Sequence, residues 1–300
     1  MIFRVTHITR YSYSQPVALC RNLACLLPRD TVRQRCLDSK LQVDPAPDDF
    51  RERLDSFGNR IHHFAIQNPH EKQTVTATSE IEVFPSPDLL AAANQFSWDA
   101  VKKQLAGIRN AQTYEALPFL YDSPLAQRSQ QLETYAQTSF PVGRPLGESV
   151  FELMQRIYQD FKYDPGVTTI ATPLSEVMST RRGVCQDFAH LGVACLRSMG
   201  LAARYVSGYI ETLPPPGQKR LVGADASHAW FSVYAENAGW IDFDPTNNQL
   251  CAEQHITVAW GRDFADVSPL RGVALGGGKH KVLVSVDVAR ISDGEFNDAS

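Results

Sequence analysis

Three hundred residues, 43% hydrophobic and 21% charged, describe a globular chain long enough for about two domains and too apolar to be disordered. A net charge of −4, with no run of Lys and Arg as long as four, argues against a nucleic-acid partner, which needs a basic face. No apolar stretch approaches the roughly 18 residues of a membrane span, and the N-terminus MIFRVTHITRYSYSQ lacks the apolar core of a signal peptide. The expectation is a cytoplasmic protein with no membrane partner.

Residues 1–86 read as β. The segments Phe3–Tyr13, Val17–Leu27, Arg33–Val43, Asp49–Ser56, Arg60–Gln67 and Gln73–Phe84 are rich in β-formers and follow one another at intervals of about ten residues. Turn signals separate them at Pro28-Arg-Asp30, Pro45-Ala-Pro47 and Phe57-Gly-Asn59. This pattern predicts an N-terminal antiparallel β-sandwich or small barrel, closed by Pro85-Ser-Pro87. Residues 87–145 form a linker or helical region. Short helices are expected near 89–105 and 124–137, with Pro118, Pro124, Pro141 and Pro145 as breakers.

A second unit, 146–300, opens with a helix over Glu148–Phe161 whose apolar face carries Val150, Phe151, Met154, Ile157, Tyr158 and Phe161. A second apolar helix covers Cys185–Met199, with Gly200 as its stop. Strands follow at Ala203–Glu211, Ala229–Ala235 and Trp240–Asp244, the last two joined by Glu236-Asn-Ala-Gly239. Lys281–Val288 reads as a final strand, Gly276–Gly278 as a turn before it, and the polar tail as disordered. The whole is an α+β chain: a β domain, then helices followed by antiparallel strands.

Six cysteines stand at 20, 25, 36, 185, 195 and 251, without a C-x-x-C pair, so a zinc site or redox motif is not indicated and neither metal nor cofactor is expected. Cys185 differs from the others by its place. It follows a glycine turn and opens a helix, where unpaired N–H groups and the positive end of the helix dipole favour a thiolate and can hold an oxyanion. His228 begins a strand, where a base can be held rigidly. Period two puts Trp240, Asp242 and Asp244 on one face of the next strand, and the antiparallel register brings Asp244 to the end where His228 lies. Asp244 is therefore preferred to Asp242 as the group orienting the imidazole, with an Asx turn over Pro245 as its structural alternative. Nucleophile, base and orienter occur in that order.

Three segments, G-V-C-Q-D-F-A-H, A-S-H-A-W and W-I-D-F-D-P-T-N-N, resemble the bacterial transglutaminase-like superfamily, and residues 1–86 resemble the β-rich region that precedes that domain. The resemblance implies a papain-like core, a cysteine helix packed on an antiparallel sheet. It also implies metal-free chemistry, with Cys185 similar to the family nucleophile, His228 to its base and Asp244 to its third member. Papain itself places its histidine about 130–150 residues after the cysteine, whereas here the separation is 43. Arylamine acetyltransferases are disfavoured because Arg181-Arg-Gly-Val-Cys departs from their R-G-G-x-C. The expected function is a cysteine-dependent amide or peptide hydrolase or acyltransferase acting through a thioester on a protein or peptide substrate. A protein-crosslinking transglutaminase and a catalytically silent binding protein of the same fold are the alternatives. Tyr163 and Gln186 are candidate oxyanion donors, and Arg182 and Trp230 candidate substrate contacts. The loop 212–225 is expected to govern how well water is kept from the thioester. His190 lies about 140° round the helix from Cys185 and is assigned to packing, and Asp187 to the helix dipole.

Overall fold

A computed structural model describes residues 1–85, 88–107, 111–211, 227–236 and 238–291, with the side chains of 111 and 112 excepted. The polar tail beyond 291, the whole of 212–225 with its Pro214-Pro-Pro-Gly217 loop, and part of each of the Pro85 and Glu236 turns lie outside those residues.

Five strands build the N-terminal sheet: β1 (Ile2–Ala24), β2 (Gln34–Asp44), β3 (Asp49–Leu54), β4 (Arg60–Ile66) and β5 (His70–Val83). All pairs are antiparallel, in the order β2-β5-β1-β4-β3. The two segments expected at 3–13 and 17–27 are one strand. A register shift between Ser12 and Val17 lets its first part pair with β5 and its last part with β4. Pro16, which has no N–H to give to a ladder, falls at that irregularity. Alternation sets the inner face, where Phe3, Val5, Ile81 and Val83 are buried.

Short helices follow: α1 (Leu89–Ala93), α2 (Trp98–Gly107), α3 (Ala111–Ala116) and α4 (Gln130–Gln137). Next come α5 (Leu146–Asp160), the two-residue strand β6 (Lys162–Tyr163), α6 (Leu174–Thr180), β7 (Arg182–Gly183) and α7 (Cys185–Ser198). On α5 the buried side chains include Val150, Leu153, Met154 and Ile157, whereas Tyr158, assigned to that face, is exposed. The apolar stripe is therefore centred a few tens of degrees from the expected one. Arg197 on α7 ties the linker region to this helix. Its buried guanidinium donates to the carbonyls of Phe119 (3.0 Å), Ala203 (2.9 Å) and Arg262 (2.7 Å) and to Ser123 Oγ (3.0 Å).

A second antiparallel sheet contains β8 (Ala203–Ile210), β9 (Ser227–Ala235), β10 (Gly239–Asp244), β11 (Gln249–Leu250) and β12 (His255–Gly261), in the order β11-β10-β9-β8-β12. Helix α7 lies on one face of it. Gly192 permits the approach: a Cβ there would fall 2.3 Å from the Phe231 ring. A short helix, α8 (Phe264–Val267), precedes β13 (Leu270–Gly276) and β14 (His280–Ile291).

These last two strands do not stay with the 146–300 unit to which they were assigned. They return to the N-terminal sheet and pair antiparallel with β1, from Val17–Ala24 and Ile2–Tyr13 respectively. Gly276–Gly278, all at positive φ, carry the chain past the Ser14–Pro16 irregularity of β1 rather than forming a free turn. The alternating pattern at 281–288 reveals a strand, but its partner is some 280 residues away and has no local signal. The outcome is the expected α+β architecture: an antiparallel β domain and a cysteine helix packed on an antiparallel sheet.

Candidate active site

Cys185 is the first residue of α7, after an extended Val184 at the N-cap. The turn is pinned by Asp187. Its Oδ2 accepts from the Val184 N–H at 2.8 Å and from the Thr168 hydroxyl at 2.6 Å. Burial raises the pKa of this carboxyl, with both hydrogen bonds opposing the rise. Asp187 is thus buried and fixes the loop before the helix, a more specific role than a dipole complement. Gly183 is required by it, because a Cβ there would lie 2.8 Å from Asp187 Oδ2. Cys185, which follows, is half-buried.

The β9–β10 hairpin supplies the rest. Its register sets Asp242 opposite Ser232 and Phe243 opposite Phe231, which leaves Asp244 at the end where β9 begins. His228 Nε2 meets Asp244 Oδ2 at 2.8 Å, and Cys185 lies near enough to the same ring to raise its pKa. Burial works against a charge on His228, but its bond to Asp244 and the influence of Cys185 outweigh burial and push it up to about 10. Burial likewise opposes ionisation of Asp244, and its bonds to His228 and His255 overcome this, holding the carboxyl well below its usual range.

Asp244 also makes the Asx turn weighed as its alternative. Oδ1 accepts from the N–H groups of Thr246 (2.9 Å) and Asn247 (3.2 Å), while Oδ2 accepts from Asn247 Nδ2 (2.7 Å). The two readings are compatible, since separate oxygens serve the turn and the histidine.

His255, at the start of β12, was not picked out in the sequence. Its Nδ1 accepts from the Ala252 N–H at 3.2 Å, so Nε2 carries the proton and donates to Asp244 Oδ2 at 3.1 Å. Burial lowers its pKa and keeps it neutral, the Asp244 contact being the smaller influence. A signal was present: Ile256-Thr-Val-Ala-Trp260 is a short apolar run of the kind that makes a buried strand. His228, Asp244 and His255 offer three ligand atoms within 4.8 Å of one another. The two histidine nitrogens lie 2.8 and 3.1 Å from Asp244 Oδ2, the lengths of N–H···O bonds.

The other candidates divide. Tyr163 is half-exposed, packs edge-on against Phe188, and has its pKa raised by burial and then by the charge of Cys185. Gln186 is half-buried in the first turn of α7. Arg182 is paired with Asp164, so its charge is already met. Trp230 is fully buried on the face of β9 away from Phe231 and lines a cavity that none of Cys185, His228 and Asp244 touches. His190 is buried and accepts from the Phe264 N–H at 3.1 Å, as a packing residue does. Among the described residues no helix is long and apolar enough to cross a membrane.

A cysteine at a helix start thus stands beside a histidine bonded to an aspartate on an antiparallel sheet. Residues 3–82 match the model of the bacterial transglutaminase-like N-terminal region, and residues 134–245 that of the transglutaminase-like superfamily. The chain belongs to the transglutaminase-like superfamily. It is 43% identical over 293 residues to an uncharacterised protein of Mycobacterium tuberculosis (strain ATCC 25618 / H37Rv), covering 95% of this chain and 92% of that protein. Over 102 residues it is 31% identical to a protein-glutamine gamma-glutamyltransferase of Pseudomonas aeruginosa, covering 31% of this chain and 15% of that protein. The crystal structure of a candidate cysteine protease from Cytophaga hutchinsonii superposes with a TM-score of 0.75 at 23% identity, covering 96% of this chain and 90% of the other. That structure shares the fold.

Proposed function

We propose that the protein is a thiol acyl-transfer enzyme acting on amides of a protein or peptide, with Cys185 as nucleophile, His228 as base and Asp244 as orienter. The observation that carries this reading is the His228 ring, bonded to Asp244 at 2.8 Å and raised in pKa by Asp244 and by Cys185 at the start of α7. His228 takes the thiol proton. The sulfur attacks the amide carbon, and the C–N bond breaks as His228 returns the proton to the leaving ammonia or amine. The resulting thioester is opened by water, giving an acid, or by an amine, giving a new amide. The Cys185 N–H is one oxyanion donor, and the Tyr163 hydroxyl or Gln186 amide the second.

The test needs no substrate at first. Iodoacetamide labelling from about pH 4 to 10 should modify Cys185 well below the ordinary thiol value of about 8.5, and this reactivity should vanish in His228→Ala. Labelling confined to pH values above about 8.5, or unchanged in His228→Ala, would overturn the assignment. Cys185→Ala should then abolish release of ammonia or peptide from amide substrates while keeping the fold.

The 102-residue match to a protein-glutamine gamma-glutamyltransferase favours glutamine as acyl donor and an amine as acceptor. Incorporation of a fluorescent primary amine into a glutamine-containing protein, without release of the free acid, would establish transfer. Acid release alone would establish hydrolysis.

A further inference from the structure

On the face of the second sheet opposite α7, a cavity of about 1160 Å³ opens between the N-terminal sheet, the linker helices and strands β8–β10 and β12. Organic ligands occupy sites of roughly 300–1,000 Å³. Its walls are aromatic, with Trp230, Trp240, Trp260 and Phe119 among them. Its charged groups are four arginines, Arg29, Arg33, Arg204 and Arg262, and three carboxylates, Glu115, Asp242 and Asp266. Arg262 is satisfied by two hydrogen bonds to Asp266, and Arg33 lies 3.7 Å from Asp242. Arg204 and Arg29 have no such carboxylate partner among the described residues.

Arg204 is the telling group. It is 6% exposed, its guanidinium lies between the rings of Trp240 (4.3 Å) and Trp260 (3.7 Å), and Nε makes a long 3.4 Å bond to Ser232. Its two terminal nitrogens make no hydrogen bond among the described residues, and the residue lines the cavity. Arg29 stacks on Trp260 at 3.3 Å and donates only to the neutral oxygens of Phe57 and Asn59. Burial lowers both guanidiniums, Arg204 to about 9 and Arg29 to about 10, with the charges of Asp242 and Asp55 respectively opposing the fall from beyond ion-pair distance. The buried Trp230 Nε1 and Arg29 Nε are also without acceptors among the described residues. The wall therefore offers unused donors and positive charge, and planar guanidiniums suit planar or tetrahedral oxyanions.

We infer that this cavity binds a small organic oxyanion, a carboxylate or phosphate ester attached to a flat apolar body, with Arg204 holding the anion and the tryptophans the body. Three of the four tryptophans line the cavity, so intrinsic fluorescence reads it directly. The full chain is titrated with benzoate, phenyl phosphate and the neutral isostere benzamide. At least one oxyanion should give a saturable change, with benzamide binding about tenfold more weakly or less, the effect of losing one charged hydrogen bond. Saturation by benzoate alone identifies a carboxylate ligand, and by phenyl phosphate alone a phosphate ester. Benzamide binding as well as the oxyanions, or no saturable response to either oxyanion at about 20 mM (a weaker site being below ordinary ligand affinity), would overturn the inference. Arg204→Gln, folded by circular dichroism, should lose the response. Retention would also overturn it, and the wild-type comparison decides if that variant does not fold. Cys185→Ala should bind as wild type, since the thiol does not line the cavity, so this outcome is independent of the proposed chemistry.

Discussion

His255 Nε2 donates to Asp244 Oδ2, the oxygen that also takes His228 Nε2. Two imidazoles thus share one carboxylate oxygen. One is charged by the site, and the other is fixed neutral by the Ala252 N–H. Because its tautomer is set, His255 can only donate, and the Asp244 carboxylate is held where His228 needs it.

His255→Ala should therefore slow Cys185 alkylation near neutral pH by about tenfold, the worth of one hydrogen bond to a charged group. It should also move the pH midpoint of labelling. His255→Asn, which keeps a donor near the same place, should recover part of both effects. A residue that merely filled space would shift stability in both variants and leave the pH midpoint alone. Alkylation rates across pH, with thermal unfolding alongside, separate the two.

The pH dependence of stability has a definite sign. His228 is raised from 6.5 to about 10, so the fold gains from its protonation below about 6.5 and loses that gain as pH rises through about 10. Asp244 is lowered, so its contribution is present above the ordinary carboxyl value of about 3.9 and disappears as pH falls through its lower folded value. Calorimetry should show unfolding temperature falling between pH 6.5 and 10 in the wild type and less steeply in His228→Gln. Parallel curves for the two proteins would remove the pair as the cause.

Asp244→Asn should be far more damaging than Asp242→Asn. The Asp244 carboxylate receives His228, His255, Asn247 Nδ2 and two backbone N–H groups, and an amide would turn a donor towards some of them. The cost is on the order of 3 kcal/mol in stability, together with a loss of at least about a hundredfold in alkylation as the histidine loses its orienting charge. Asp242 is bonded instead to Ser232 and faces Arg33, away from the ring. Comparable losses in the two variants would show that the wrong carboxylate had been placed in the triad.

What the sequence discloses is uneven, for physical reasons. Cys185, His228 and Asp244 are legible because each sits at the end of an element whose periodicity is local: an apolar helix, then two alternating strands joined by a short turn. His255 is not, since its strand pairs with β8 and its purpose depends on a carboxylate on another strand. The arginine–tryptophan cavity is more distant still. Arg29, Arg204 and Trp260 come from three separate parts of the chain, and only the folded sheets bring them together. The return of β13 and β14 to β1 is hidden for the same reason.

Gly192 sets the distance between the helix carrying the thiol and the sheet carrying the base. A methyl group there would meet the Phe231 ring, which stacks in turn on Phe243 with ring centroids 5.7 Å apart, so the ring has little room to give. Gly192→Ala should cost about 1–3 kcal/mol as overpacking, which for a chain of this size lowers the unfolding temperature by roughly 2–4 °C per kcal/mol. The strain is relieved by moving α7 outwards, which draws Cys185 away from His228. Alkylation near neutral pH should therefore fall by more than the stability change explains. Phe231→Leu in the same chain should restore the room and with it much of the labelling rate. If the double variant regains stability but not thiol reactivity, the helix–sheet spacing is not what brings the thiol to the histidine.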